Sequence, residues 1–476
     1  MNNAVGPTSI VRPESKLDRF IHSRLRENLH LPTLLVLLHI PLGIVLYNVG
    51  PLGLLHPFIA MVIGLRRAIN VEENLSRAGV MAGYIVGAEI LWRMAGVPVF
   101  WEMGKYGAAL IMITALVRRK LWKIPPLPIV YFACLLPACI VTLVGKDLSE
   151  SRHLLSFNMS GPFLLLISCW YFSRLVIDQI EIRRLLLGMI IPLMSVAVTT
   201  LFYTVSAPEI QFSAESNFAT SGGFGPNQVS SMLGLGAFLC LAGLLLFKNT
   251  FKYTVFFAIG SLLFIAQSVL TFSRGGMYNA IGAIVLMVLC QLGDLKHSIR
   301  KVLPISVVVL IFAVVIFPYL NRFTGGALEE RFQDSETTGR VEIADADLNI
   351  FLEHPFLGVG VGNAYRAREK FLNSESAVSH TEYSRVIAEH GAFGWLALAA
   401  LGLAFAYRLT RQTTIGGLTF LLGCFAWSGL FMMNAGMRLA GPGFVIGMIY
   451  LQVQDLYTAS ARRKLAEPLR GLNGLR

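Results

Sequence analysis

Arginine and histidine are concentrated in one part of an otherwise apolar chain. Between Gly339 and Trp395 lie Arg340, His354, Arg366, Arg368, Lys370, His380, Arg385 and His390, with Glu382 and Glu389 among them. A further arginine, Arg274, sits in a short turn, Thr271-Phe272-Ser273-Arg274-Gly275-Gly276, between two apolar runs. A guanidinium presents a planar fork of donors that fits a phosphate bidentately. Neutral imidazole takes up a proton near pH 7. Together these types suit holding a phosphorylated group while a neighbouring hydroxyl is deprotonated. For Arg274 the plainer alternative is snorkelling to lipid headgroups.

The spacing places two of these residues at helix starts. Val341, Ala344, Leu348, Phe351 and Leu352 recur at helical spacing, so Arg340 begins an amphipathic helix that His354-Pro355 stops. A cation at a helix N-terminus adds to the positive end of the dipole, which favours anion binding over surface decoration. Gly358, Gly360 and Gly362 mark a flexible return segment; their spacing is not a dinucleotide fingerprint, and no strand precedes them. Ser379 followed by Glu382 reads as a capping box and puts His380 in a first helical turn. There the helix end and the arginines disfavour imidazolium, which suits a general base; a surface histidine at a helix start is the alternative. His354 and His390 are weaker candidates. Tyr383 and Arg385 follow His380 closely and are supporting candidates, as is Glu382.

A third external segment, Asn217 to Gln228, contains Gly222-Gly223-Phe224-Gly225-Pro226-Asn227, a tight turn at a helix start. Asn227 is either the helix N-cap or part of a backbone-amide ledge for an anion. No metal site is expected. Asp345-Ala346-Asp347 resembles the acid pair of nucleotide-sugar transferases, but residues two apart on a helix point about 200° apart. His380, Glu382 and His390 lack the i, i+4 spacing of a helical zinc site.

The elements that position these groups are membrane helices. The chain of 476 residues is 55% hydrophobic and 14% charged, against about 25% charged in soluble domains. Apolar runs long enough to cross ~30 Å of hydrocarbon recur. They lie at 31–49, 51–65, 79–97, 105–117, 127–144, 161–177, 185–205, 228–247, 253–271, 277–292, 302–319, 391–407, 415–433 and 439–454. The second and fourth are short, so the expectation is an all-α integral membrane protein with 12–14 transmembrane helices. Ten-residue alternating strands are absent from the pattern, which argues against a transmembrane barrel. Near the N-terminus Leu17, Phe20, Ile21, Leu25 and Leu29 recur at helical spacing, with Lys16, Arg19, Arg24 and Arg26 on other faces. Ser15 to Leu29 therefore reads as an amphipathic helix on the cytoplasmic leaflet, and no cleavable signal peptide is evident. The six cysteines all lie in apolar runs and read as buried thiols.

The net charge of +12 fits anionic lipid and membrane topology rather than nucleic acid. Basic residues alternate along the chain in a way that puts the N-terminus inside and the Gly339–Trp395 stretch outside. The expected division is a cytoplasmic N-terminus 1–30, a transmembrane bundle 31–319, one large extracytoplasmic loop 320–390 with short helices, C-terminal helices 391–454 and a cytoplasmic tail 455–476. Glu89 and Arg93, four apart, suit an intrahelical pair, and Arg174 with Asp178 can do the same. If those charges instead couple ions, the protein is a transporter; no pair of matching broken helices in the two halves supports that.

The ordered set Ser273-Arg274-Gly275, Gly339-Arg340, His354-Pro355-Phe356-Leu357-Gly358-Val359-Gly360, His380-Thr381-Glu382-Tyr383 and Glu389-His390-Gly391-Ala392-Phe393-Gly394 resembles the O-antigen ligase and polymerase superfamily of bacterial membrane glycosyltransferases. The likeness covers roughly residues 200–450; Thr381 departs mildly from the family pattern, where Asn or Ser is expected. The resemblance implies a GT-C-like fold in the inner membrane. It implies transfer of a glycan from undecaprenyl diphosphate to an acceptor hydroxyl of lipid A-core or another glycan, outside the cytoplasmic membrane, without metal or soluble cofactor. By the same resemblance, Arg274 and Arg340 would bind the diphosphate and His380 would be the base. Ligase and repeat-unit polymerase both remain open.

Overall fold

The computed structural model describes residues 30–454 apart from 208–209, 214, 248, 293–294, 334–338 and 373–380. The expected N-terminal amphipathic helix, the basic tail, Ser379 and His380 therefore lie outside the described residues. Each of the fourteen apolar segments contains a helix. Eight of the described helices are long and apolar enough to cross a membrane: Pro126–Gly145, Leu148–Phe172, Gln179–Ser206, Pro226–Leu246, Phe251–Leu270, Lys301–Phe323, Ala392–Leu409 and Ile415–Asn434. The protein is an all-α integral membrane protein. Among the described residues the only strands are Val176–Ile177 and Gln452–Val453, a two-residue parallel pair with Val176 opposite Gln452.

Helix Pro226–Leu246 is the axis of the bundle and is almost wholly buried, whereas Ala392–Leu409 and Lys301–Phe323 are mostly exposed, as lipid-facing helices are. It packs against Phe251–Leu270, Arg274–Gln291 and Gln179–Ser206; Arg274–Gln291 also packs on Ile415–Asn434. Small residues allow the central crossing. A Cβ on Gly276 would collide with the Ser230 carbonyl oxygen, and one on Gly234 with that of Gly276. These backbones touch two residues beyond Arg274, so the crossing fixes where that arginine's turn sits.

The last crossing departs from the expected continuous span at 439–454. Helix Ile415–Asn434 ends, the chain continues without helix to Leu439, and helix Ala440–Met448 has only nine residues, a rise of about 13 Å. Gly436 lies within this interruption, and Pro442 sits in the first turn of the short helix after it. Broken backbone at such depth survives only where its polar groups find partners inside the protein. The Ala440 N–H donates to Glu89 Oε2 at 2.6 Å, the Met437 N–H donates to Glu382 Oε2 at 3.0 Å, and the Arg438 carbonyl accepts from Arg93 Nη2 at 3.1 Å. Glu89 and Arg93 pair at 2.6 Å as their spacing indicates, and the pair also braces the break. Asp178 does something else than expected: it caps helix Gln179–Ser206 in a capping box with Glu181, while Arg174 donates to the Lys123 carbonyl.

The insert holds helices Ala327–Gln333, Arg340–Glu353, Ala364–Ala367 and Glu382–His390. Arg340 is the first residue of its helix, as expected, and follows Gly339 in the left-handed region at φ 71°. The buried face, however, is Ile343, Ala346, Asp347 and Ile350; Val341, Leu348 and Leu352 are exposed. Periodicity alone favoured the apolar stripe, but Asp347 is drawn inward by Arg368 Nε at 2.7 Å and Ser384 Oγ at 2.6 Å. Gly358, Gly360 and Gly362 do not form a loose return. All three have positive φ and pack closely, with Val359 N–H donating to the Ala388 carbonyl at 3.1 Å and Gly360 N–H to that of Glu389 at 3.0 Å.

Gly276→Ala is expected to force the two central helices apart. Overpacking of this kind costs about 1–3 kcal/mol and should appear as a lower unfolding temperature in detergent; an unchanged melt would show that the crossing is not tight.

Candidate active site

Two helix starts meet around Arg274. Phe272, fully buried and at φ 58°, turns the chain so that Ser273 and Arg274 begin the next helix. Ser273 Oγ donates to Asn227 Oδ1 at 2.7 Å, and Ser230 Oγ donates to the Ser273 carbonyl at 2.8 Å. Asn227 is thus not the N-cap of its helix; Gly225 is, and Pro226 takes the first position. Asn227 instead fastens that helix start to the arginine turn. From the insert, Arg331 Nε donates to the Phe272 carbonyl at 3.0 Å.

Arg340 reaches the same place from the far side of the insert. Its Nη1 donates to Asn434 Oδ1 at 2.7 Å, and Asn434 Nδ2 donates to Asn279 Oδ1 at 3.0 Å. Arg340 Nε is buried and has no acceptor. Burial, then the charges of Arg274 and Arg331, depresses the Arg340 guanidinium below its ordinary range. Mutual repulsion of three guanidiniums, with two helix N-termini among them, is relieved by an anion. Beside them lies a cavity of about 250 Å³, lined by Asn227, Gln228, Phe431, Asn434, Gly436 and Arg438 with their neighbours.

Helix Glu382–His390 forms the other flank. Its N-cap is Thr381, whose Oγ1 accepts from Ser384 N–H at 3.3 Å, so the helix begins later than the Ser379 box indicated. His380 directly precedes this cap in sequence and lies outside the described residues. Arg385 holds Glu382 through Nε at 3.1 Å and Nη2 at 2.5 Å, and Glu389 through Nη1 at 2.5 Å. Burial opposes the Arg385 charge, but the two carboxylates outweigh it and raise the group. Tyr383 donates to the Gly429 carbonyl at 3.1 Å. None of Glu382, Tyr383 and Arg385 lines the cavity; Glu382 fastens the helix to the break through Met437, Tyr383 fastens it to helix Ile415–Asn434, and Arg385 braces the two glutamates and reaches Asn158 on helix Leu148–Phe172. Among the described residues no three metal-ligating side chains converge.

Sequence reading singled out Arg274, Arg340 and Asn227, and the structure brings them together. It missed Arg331, Asn279, Asn434 and Arg438. The available signal was Asn434-Ala435-Gly436-Met437-Arg438, a polar interruption between apolar runs.

Residues 259–399 match the family model described as O-antigen ligase. The match supports the resemblance to the O-antigen ligase and polymerase superfamily over that segment. The matched segment includes Arg274, Arg340 and helix Glu382–His390, but stops short of the Asn434–Leu439 break that walls the cavity. No curated protein matches the chain. A multi-pass membrane protein with this match fits a place in polysaccharide biosynthesis.

Two outcomes follow from the Glu382–His390 helix. Arg385→Ala leaves two buried carboxylates without their cation, a loss of about 3–5 kcal/mol, readable as a large fall in unfolding temperature. Burial, then Arg385, pushes His390 down to about 3 from 6.5. The unfolded chain binds this proton through that window and the folded one does not, so stability is lost as pH falls from 6.5 toward 3, at up to about 1.4 kcal/mol per pH unit. His390→Leu should flatten the acid limb of a melting-temperature profile; an unchanged limb would remove the assignment.

Proposed function

We propose that the protein moves a glycan from undecaprenyl diphosphate to an acceptor hydroxyl of lipid A-core or another glycan, at the periplasmic face of a bacterial inner membrane. The observation that carries this reading is the convergence of Arg274 and Arg340, from elements far apart in sequence, beside a cavity, with a buried Arg340 donor left unpaired. The family match supports a glycan donor and acceptor, and the distribution of basic residues supports the periplasmic orientation.

In this reading the guanidiniums hold the donor diphosphate and neutralise the charge that grows on it as the bond from the anomeric carbon to phosphate oxygen breaks. His380, beside the Thr381 cap, takes the proton of the acceptor hydroxyl as its oxygen bonds to that carbon from the opposite side, inverting it. The lipid tail stays among the helices, and holding donor and acceptor together supplies proximity. Neither a metal nor a soluble cofactor is required by these steps. The supporting residues Glu382, Tyr383 and Arg385 position the helix that follows His380.

Arg274→Ala, Arg340→Ala and His380→Ala should each lower transfer by roughly 10²–10³ while inserting normally. The lysine variants at the two arginines should remain impaired, since lysine keeps charge but not the fork. The assay is purified protein with carrier-diphosphate glycan and candidate acceptors, with and without chelator. Near-normal transfer by His380→Ala removes the base assignment, and abolition by chelator removes the metal-free one. A deletion strain separates ligase from polymerase: accumulation of long carrier-linked chains supports the ligase, single repeats the polymerase.

A further inference from the structure

Sugar rings offer apolar C–H faces and polar edges, so a site for them needs exposed aromatic faces beside amides and hydroxyls. That combination occurs at the mouth of the cavity. Phe218 is 61% exposed and lines it, together with Ser216, Asn227 and Gln228. Phe224 lies next to Trp101, ring centroids 6.0 Å apart. Trp101 is 45% exposed even though the Arg93 guanidinium sits 4.4 Å from its ring centroid. Arg93 also donates to Gln228 Oε1 at 3.3 Å, which ties Trp101 to the cavity wall.

Exposed aromatics at the end of a membrane bundle have a plain explanation as an interfacial belt. Phe218 is placed differently. It sits on a turn rather than on a membrane-spanning helix, and the turn is locked. Asn217 N–H donates to the Thr271 carbonyl at 3.0 Å, Gly223 N–H donates to the Phe218 carbonyl at 2.9 Å, and Asn217 Oδ1 accepts from Thr220 N–H at 3.1 Å. The same contact with Thr271 couples the ring to the turn that carries Arg274. A rigid mount for an exposed ring beside a cavity lowers the ordering cost of binding.

We propose that Phe218 on the cavity wall, and the Trp101–Phe224 pair tied to that wall through Arg93 and Gln228, form a shelf that binds sugar rings of the glycan, apart from the guanidiniums. This rests on the glycosyl-transfer reading for its place in a reaction, but not for binding itself. The test is equilibrium dialysis of the protein in nanodiscs with labelled oligosaccharides released by mild acid from the host strain's lipid-linked glycans, which lack the diphosphate. Phe218→Ala and Trp101→Ala should each weaken binding about tenfold. Phe218→Tyr and the distant exposed variant Trp122→Ala should bind like the wild type. Unchanged binding by Phe218→Ala, equal loss by Trp122→Ala, or no binding by the wild type overturns the shelf. Transfer from carrier-diphosphate glycan is measured alongside. Phe218-dependent binding without any transfer overturns the transfer reading and supports the shelf; transfer with Phe218-independent binding overturns the shelf alone.

Discussion

Backbone groups that have left a helix inside a membrane protein must be satisfied by the protein itself. Between Asn434 and Ala440 that requirement organises the end of the bundle. Glu89 takes the N–H that opens the short last helix, Arg93 serves a carbonyl, and Glu382 takes an N–H from the middle of the break. Glu89 comes from the first half of the chain and Glu382 from the polar insert. A single interruption therefore gathers remote segments around itself, and its charged partners are costly to remove because each would strand another.

The same interruption sets the position of the guanidiniums. Asn434 is the last residue before the break, and it holds Arg340 while bonding to Asn279 on the helix that Arg274 begins. An asparagine can do this because its amide accepts on one side and donates on the other. Arg340 is thus fixed against both the insert and the bundle. Its burial beside Arg274 and Arg331 is unfavourable in isolation, the condition in which an incoming anion gains most.

Much of the architecture was legible from hydropathy, because a span must be apolar over its whole length and few soluble elements are. Arg274 and Arg340 were legible because each breaks a local rule: one is a cation on a short external turn, the other a cation at a helix start. The broken last crossing was not, since Leu439 to Gln454 reads as apolar whether or not it is helical throughout. The packed face of Arg340–Glu353 was misread for a related reason. Hydrophobic periodicity cannot know that Asp347 will find Arg368, well beyond its own helix, and turn the helix with it. Asn434 stood out only as part of the polar interruption Asn434–Arg438; an asparagine ending an apolar helix is ordinary until its neighbours are placed.

Gly358 and Gly391 interlock. A Cβ on Gly358 would collide with the Glu389 carbonyl, and one on Gly391 would lie 2.6 Å from the Phe356 carbonyl carbon, with both residues at positive φ. The return segment and the end of helix Glu382–His390 are therefore a single mechanical block, joined to the next membrane helix through the Ala392 N–H and the Pro355 carbonyl at 2.7 Å. This matters for how genetic screens on such a protein are interpreted. Loss of function at these glycines would come through folding, since they offer no side chain to any substrate. Only a measure of folding separates a broken hinge-pin from a missing tool.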